Sequence, residues 1–146
     1  MPGTDVDVNL LPPLVFGDPG EFRELMVALT MTGAKTGSSH LRVVYEMTDE
    51  PLPEVGSTYA VVDSADFRVA VVEVTAVVET SAADISLELA QHESLTLEAW
   101  HAGHHDYWES LTPAIRKHLG DPDWHLTDTE PVIVKIFRVV EPDPAD

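Results

Sequence analysis

The sequence predicts one α+β domain: a mostly antiparallel sheet, rolled into a small barrel, with flanking helices. Three observations predict it. The chain has 146 residues with a hydrophobic share of 44%, which suits one core without covalent staples. Its strand-like runs are joined by short turns rather than by the dozen or more residues a parallel crossover needs. Helical and strand patterns come in blocks (helix, three strands, two or three helices, strand) instead of alternating regularly.

The elements follow in order. Residues 1–14 are rich in Pro, Gly and Asp without periodicity and read as a flexible N-terminal arm. The domain is expected over 15–141, and residues 142–146, Pro-Asp-Pro-Ala-Asp, read as a flexible tail. A helix is predicted over 19–32, with Asp18 as its cap, Pro19 in its first position and Glu21 in its first turn. Phe22, Leu25, Met26 and Leu29 form its apolar stripe. Gly33 supplies the left-handed end, and Ala34 to Ser39 form a small polar loop. Strands are predicted at Leu41–Tyr45, Thr58–Val62 and Arg68–Val78, with a turn at Asp63-Ser64-Ala65-Asp66. Ser81 with Asp84 has the capping-box spacing and opens a helix over 82–91. Further helices are predicted over 97–109 and from Thr112-Pro113 to Gly120, and a last strand over Pro131–Val140.

Composition limits function. Cysteine is absent, which excludes a disulfide framework, a thiolate zinc site and a cysteine nucleophile. No apolar run is long enough to span a bilayer. The first residues carry acids where a secretory signal needs basic residues, so a cytoplasmic protein is expected. The net charge is −18, from 26 acids against 8 bases. The bases are scattered, so DNA is not expected as a partner, and RNA would need a local basic patch assembled in space. No Gly-rich phosphate loop is present.

Several side chains have chemical potential. Lys35 is the only lysine in the first 116 residues, and Thr36, Ser38 and Ser39 follow it closely. A lysine desolvated beside a hydroxyl forms a base–nucleophile pair; the plainer alternative is an exposed loop lysine beside turn serines. Glu93, between two predicted helices, has the chemistry of a general acid or base, or else is one more solvated acid. His101 and His105 stand at i, i+4 with Glu98 a turn earlier, a spacing suited to zinc or nickel. Yet no Glu follows the first histidine and Gly103 weakens the helix, so no metal or other cofactor is expected. Trp100, His104, Tyr107 and Trp108 are expected to pack instead.

Five segments together resemble the ASCH domain, a PUA-like β-barrel family. They are Phe16-Gly17-Asp18 with Thr32-Gly33-Ala34-Lys35-Thr36, then Pro51-Leu52-Pro53-Glu54-Val55-Gly56, then Val72-Glu73-Val74-Thr75, then Glu93-Ser94-Leu95 leading to Trp100 and His104, and finally Phe137-Arg138-Val139-Val140. They span about residues 15–141. Members of that family are proposed to bind RNA, and some are amidohydrolases that deacetylate N4-acetylcytidine. The resemblance implies Lys35 as base, Ser38 as nucleophile where similar enzymes carry threonine, and Glu93 as acid. It implies a small nucleoside or nucleotide as partner, bound with help from Thr36, Ser39, Tyr45, Glu73, Trp100 and His104, with Tyr45 or Trp100 stacking on a base. The alternative is a non-catalytic module that binds RNA or a nucleotide. Two departures would reshape the pocket: the first strand lacks the usual tryptophan, and Val134-Lys135 stands where an acid is common.

Overall fold

The computed structural model describes residues 8–140. Within them lie strands β1 (Pro13–Leu14), β2 (Gly37–Leu41), β3 (Thr58–Val62), β4 (Arg68–Ser81) and β5 (Pro131–Val140). Five α-helices accompany them: α1 (Glu21–Met31), α2 (Arg42–Met47), α3 (Leu87–His92), α4 (Leu97–Glu109) and α5 (Thr112–Leu119). The fold is thus α+β, as predicted. The strands form one sheet in the order β1-β3-β4-β5-β2. Only β1 with β3 is parallel; the other pairs are antiparallel. The ladder is open, with β1 and β2 as its edges, so the expected barrel is not closed by hydrogen bonds among the described residues.

Most expected elements fall in place, and the exceptions have local causes. Of the segment expected as a loose arm, residues 8–14 are described, and residues 1–7 and 141–146 lie outside. Val8–Leu10 is a short 3-10 turn, and Leu14 is buried in the sheet. The Arg68 guanidinium holds this stretch through the carbonyls of Val8 and Leu11. The strand expected at Leu41–Tyr45 is instead the end of β2 followed by α2. The ladder explains the switch: Leu41 pairs with Val132, and the next residue of β5 is Pro131, which has no N–H to continue it.

In α1 the buried face is Arg23, Met26, Val27 and Thr30, while Phe22 and Leu25 of the expected stripe are exposed. Arg23 is drawn inward because its guanidinium donates to the carbonyls of Gly17 and Asp63. Asp18 does not cap the helix; Gly20 occupies that position. Ser81 does reach Asp84, at 3.3 Å, but this pair closes only a 3-10 turn at Ala82–Asp84. The cap of α3 is Ser86, whose hydroxyl accepts from the Leu89 N–H.

Two apolar clusters flank the sheet. One joins Leu14, Phe16, Met26, Tyr59, Val61, Val72, Val74 and Phe137 beneath α1. The other joins Leu41, Ile85, Trp100, Trp108, Ile115, Val132 and Val134 beneath the later helices. Each large side chain buried here stabilises the fold by about 1.5–3 kcal/mol. The polar residues of the site described next lie at the seam between them.

Candidate functional site: a buried lysine–glutamate cluster

The segment after α1 is shaped to put one lysine indoors. Gly33 takes a left-handed φ of 86°, and the N–H groups of Ala34 and Lys35 both return to the Leu29 carbonyl. Thr36 then anchors the chain on both sides. Its N–H donates to the His92 carbonyl, its carbonyl accepts from the Phe137 N–H, and its hydroxyl bonds His92 Nδ1 at 2.8 Å. Lys35 is left 3% exposed, with its ammonium 5.0 Å from the centre of the Phe16 ring.

The end of α3 brings in the carboxylate. Glu93 is its C-cap, and Ser94 turns left-handed at φ 60°. The Leu95 and Ser94 N–H groups then close back on the Ala90 and Gln91 carbonyls, a Schellman end. A non-glycine residue in that conformation carries strain, and Ser94 offsets part of it by donating its hydroxyl to the Ala34 carbonyl at 2.6 Å. The helix end thereby grips the Lys35 segment. Gly37 permits the close approach, because a Cβ there would stand 2.9 Å from the His92 Cβ.

Four polar groups converge on Glu93, itself 3% exposed. Lys35 Nζ lies 3.2 Å from Oε1 and His104 Nε2 3.1 Å from the same oxygen. Oε2 receives the Ser39 hydroxyl at 2.5 Å and the Trp100 indole N–H at 2.8 Å. Burial alone would raise the carboxyl's pKa, but the His104 hydrogen bond, the Lys35 charge and the Ser39 hydroxyl together hold it well below the usual carboxylate range. Burial pushes Lys35 down from its ordinary value, against the pull of Glu93. Glu93 is therefore held as a carboxylate, and a proton on Lys35 is easier to lose than one on a surface lysine.

Lys35, Ser39, Glu93 and His104 line a cavity of about 560 Å³ that also includes Phe16, Phe22, Ser38, His40 and Tyr107. Ser38 and Ser39 are neighbours on β2, and both line this cavity. Ser39 is committed to Glu93, whereas the buried Ser38 has no side-chain hydrogen bond among the described residues and pairs in register with Lys135. Of the expected site residues, Lys35, Ser38, Ser39, Glu93 and His104 come together around this cavity.

Four expected binding residues do other work. Thr36 ties the loop to His92. Tyr45 sits on α2, buried beside a separate cleft that includes Arg42 and Glu50. Glu73 pairs with Arg138 at 2.6 Å on the sheet surface. Trp100 is buried and stacked on His104, ring centres 4.3 Å apart and 23° from parallel, so no face is open to a base. Its indole N–H serves Glu93 instead. His101 and His105 line another cavity, of about 520 Å³, beside Trp108 and Leu126. Among the described residues, no three His, Asp or Glu side chains gather closely enough to hold a metal ion.

Sequence reasoning missed three residues. His40 is half-buried, and desolvation first, then the Lys135 charge, lowers its pKa to about 3, so the imidazole stays neutral. Lys135 lies 4.1 Å from the centre of the Tyr59 ring and 5.6 Å from that of Tyr45, and burial lowers its pKa to about 8. Phe22, 58% exposed, stands at the cavity mouth. Lys135 stood out in the sequence only as a departure where an acid is common; the strand register that brings Ser38 beside it requires the Leu41–Val132 alignment to be known.

Comparison with known proteins gives three findings. A family model described as "ASCH domain" matches residues 13–141. A solved protein from Enterococcus faecalis superposes with a TM-score of 0.74 at 24% identity, over 88% of this chain and 76% of its own. The ASCH domain from Lactobacillus crispatus does so with a TM-score of 0.74 at 19% identity, over 88% and 78%. An ASCH protein from Zymomonas mobilis is more distant, with a TM-score of 0.51 at 13% identity, over 87% and 64%. No curated protein matches the sequence. At such identities the structural likeness carries the fold alone, an α+β domain.

Proposed function

The chain belongs to the ASCH domain family, and from that premise we propose that it is a small amidohydrolase acting on an N-acylated nucleoside such as N4-acetylcytidine. The observation that carries this reading is a buried Lys35–Glu93 pair beside an uncommitted serine hydroxyl, all lining one cavity. Ser38 Oγ attacks the acyl carbon and its proton passes to Lys35. For that, Lys35 must first release a proton, which desolvation favours. Collapse of the tetrahedral adduct breaks the C–N bond, and the departing nitrogen takes a proton from the polar cluster. Water then attacks the acyl-serine and its proton refills the cluster, while Lys35 returns the first proton to Ser38 as the acid product leaves.

The cavity's shape and charge fit a single nucleoside. Phe22 and Tyr107 at its wall are the aromatic faces open to a base, in place of the buried Trp100. The net charge of −18 repels a polyanion and is indifferent to a neutral nucleoside. Incubation with N4-acetylcytidine, followed by chromatography, should release cytidine at a rate hardly changed by salt. Lys35→Ala and Ser38→Ala, checked for folding by circular dichroism, should abolish release. A wild-type protein that binds the nucleoside without cleaving it would replace this reading with that of a binding module.

A further inference from the structure

A count of protons around Glu93 identifies a residue whose role differs from substrate binding. His104 Nδ1 lies 2.8 Å from the Trp100 carbonyl. A carbonyl oxygen only accepts, so Nδ1 carries the hydrogen. In a neutral imidazole Nε2 would then be an acceptor. Yet Nε2 faces Glu93 Oε1 at 3.1 Å, and an ionised carboxylate is also only an acceptor. The contact therefore requires one more proton, on His104 or on Glu93.

The surroundings decide which. Lys35 donates to the same oxygen, while Ser39 and Trp100 donate to the other, so every neighbour of the carboxylate favours its anion. The flat face of Trp100 lies against the His104 ring, and an indole face attracts an imidazolium by its quadrupole. Lys35 opposes a second positive charge, and His40, on β2, is neutral. Access agrees with the assignment. The His104 side chain is 15% exposed against 3% for Glu93, and both line the cavity.

We propose that the extra proton resides on His104 Nε2, and that His104, rather than Glu93, hands it to the departing nitrogen. This rests on the amidohydrolase reading. Glu93 then acts as the anion that holds Lys35 and His104 in place. When the C–N bond breaks, its electron pair goes to nitrogen, which takes the Nε2 proton. The neutral His104 left behind accepts a proton from the water that attacks the acyl-serine, which restores the imidazolium.

Two measurements test it. Nitrogen-15 NMR of the wild-type protein at neutral pH should show both His104 nitrogens protonated, and Glu93→Gln should convert the ring to the neutral form with its hydrogen on Nδ1. A neutral His104 in the wild-type protein would overturn the proposal whatever the activity. Single-turnover kinetics of His104→Gln should show N4-acetylcytidine cleavage reduced by about 10²–10⁴-fold. Release of p-nitrophenolate from p-nitrophenyl acetate, a leaving group that needs no proton, should fall by much less. Equal losses on both substrates would remove His104 as the proton donor while leaving the hydrolase reading intact. A wild-type protein inactive on both would overturn that reading and, with it, the catalytic use of the proton.

Discussion

Replacing Glu93 by glutamine keeps the side-chain shape and removes its charge. The amide offers one acceptor oxygen in place of two, so its NH₂ group must face donors: either Ser39 and Trp100 or Lys35 and His104. The Ser39 hydroxyl can rotate and His104 can lose its extra proton, but the Trp100 indole N–H cannot change and Lys35 can escape only by giving up its charge. Both are buried. Breaking a buried ion pair by removing one partner costs about 3–5 kcal/mol, a large part of the 5–15 kcal/mol typical of a whole domain. Urea unfolding at pH 7 should register it as a midpoint lowered by roughly 1–3 M. Lys35→Met in the Glu93→Gln background should recover part of the loss, since no unpaired charge then remains. Acid unfolding adds a sign. Glu93 titrates below its ordinary value of 4.5 when folded, so its contribution is complete above that pH and is lost as pH falls further. Glu93→Gln should lack this part of the acid limb. A cost under about 1 kcal/mol, or strict additivity with Lys35→Met, would refute the picture of a buried, mutually dependent cluster.

Other perturbations have equally definite outcomes. Gly37→Ala should push the end of α3 away from β2, because its Cβ would meet that of His92; we expect about 1–3 kcal/mol of destabilisation and a large loss of turnover, and unchanged activity would show that the close approach is dispensable. Lys135 titrates at about 8 when folded against an ordinary 10.5. The unfolded chain therefore binds the extra proton between these values, and stability should rise by about 3 kcal/mol across them. Lys135→Met should flatten that rise and stabilise the protein at pH 7; a pH profile identical to wild type would contradict the assignment. Ser39→Ala should lower stability by about 1.5–3 kcal/mol through the lost bond to a charged group, with an activity loss smaller than that of Ser38→Ala; the reverse order of activities would exchange their roles.

Local patterns made most elements legible. The α4 and β5 boundaries match the expected ranges, and the reach of α5 to Gly120 follows from a proline start and a left-handed glycine end. Where the reading failed, a partner distant in sequence decided the outcome. Pro131 ended the β2 ladder and turned an apparent strand into α2. The carbonyls of Gly17 and Asp63 drew Arg23 inward and rotated α1. The same division runs through the site. Lys35 stood out as a solitary lysine in a glycine-bounded loop, and Glu93 through the likeness of its surroundings to a known family. That Trp100 would donate to Glu93, or that His104 would bridge it to the cavity, depends on how α4 crosses the end of α3. Tyr45 was expected at the cavity as an aromatic face for a base and Glu73 because its segment resembles a family strand, yet one lies on α2 and the other pairs across the sheet surface with Arg138.

The account turns on an acyl group passing through Ser38. The most direct measurement is to quench a single turnover of N4-acetylcytidine in acid and map the acetyl group by peptide mass spectrometry. The acetyl group should be found on Ser38 in the wild-type protein, with cytidine released in equal amount, and be absent from Lys35→Ala. Cytidine release undiminished in Ser38→Ala, or an acetyl group on another residue, would contradict the account.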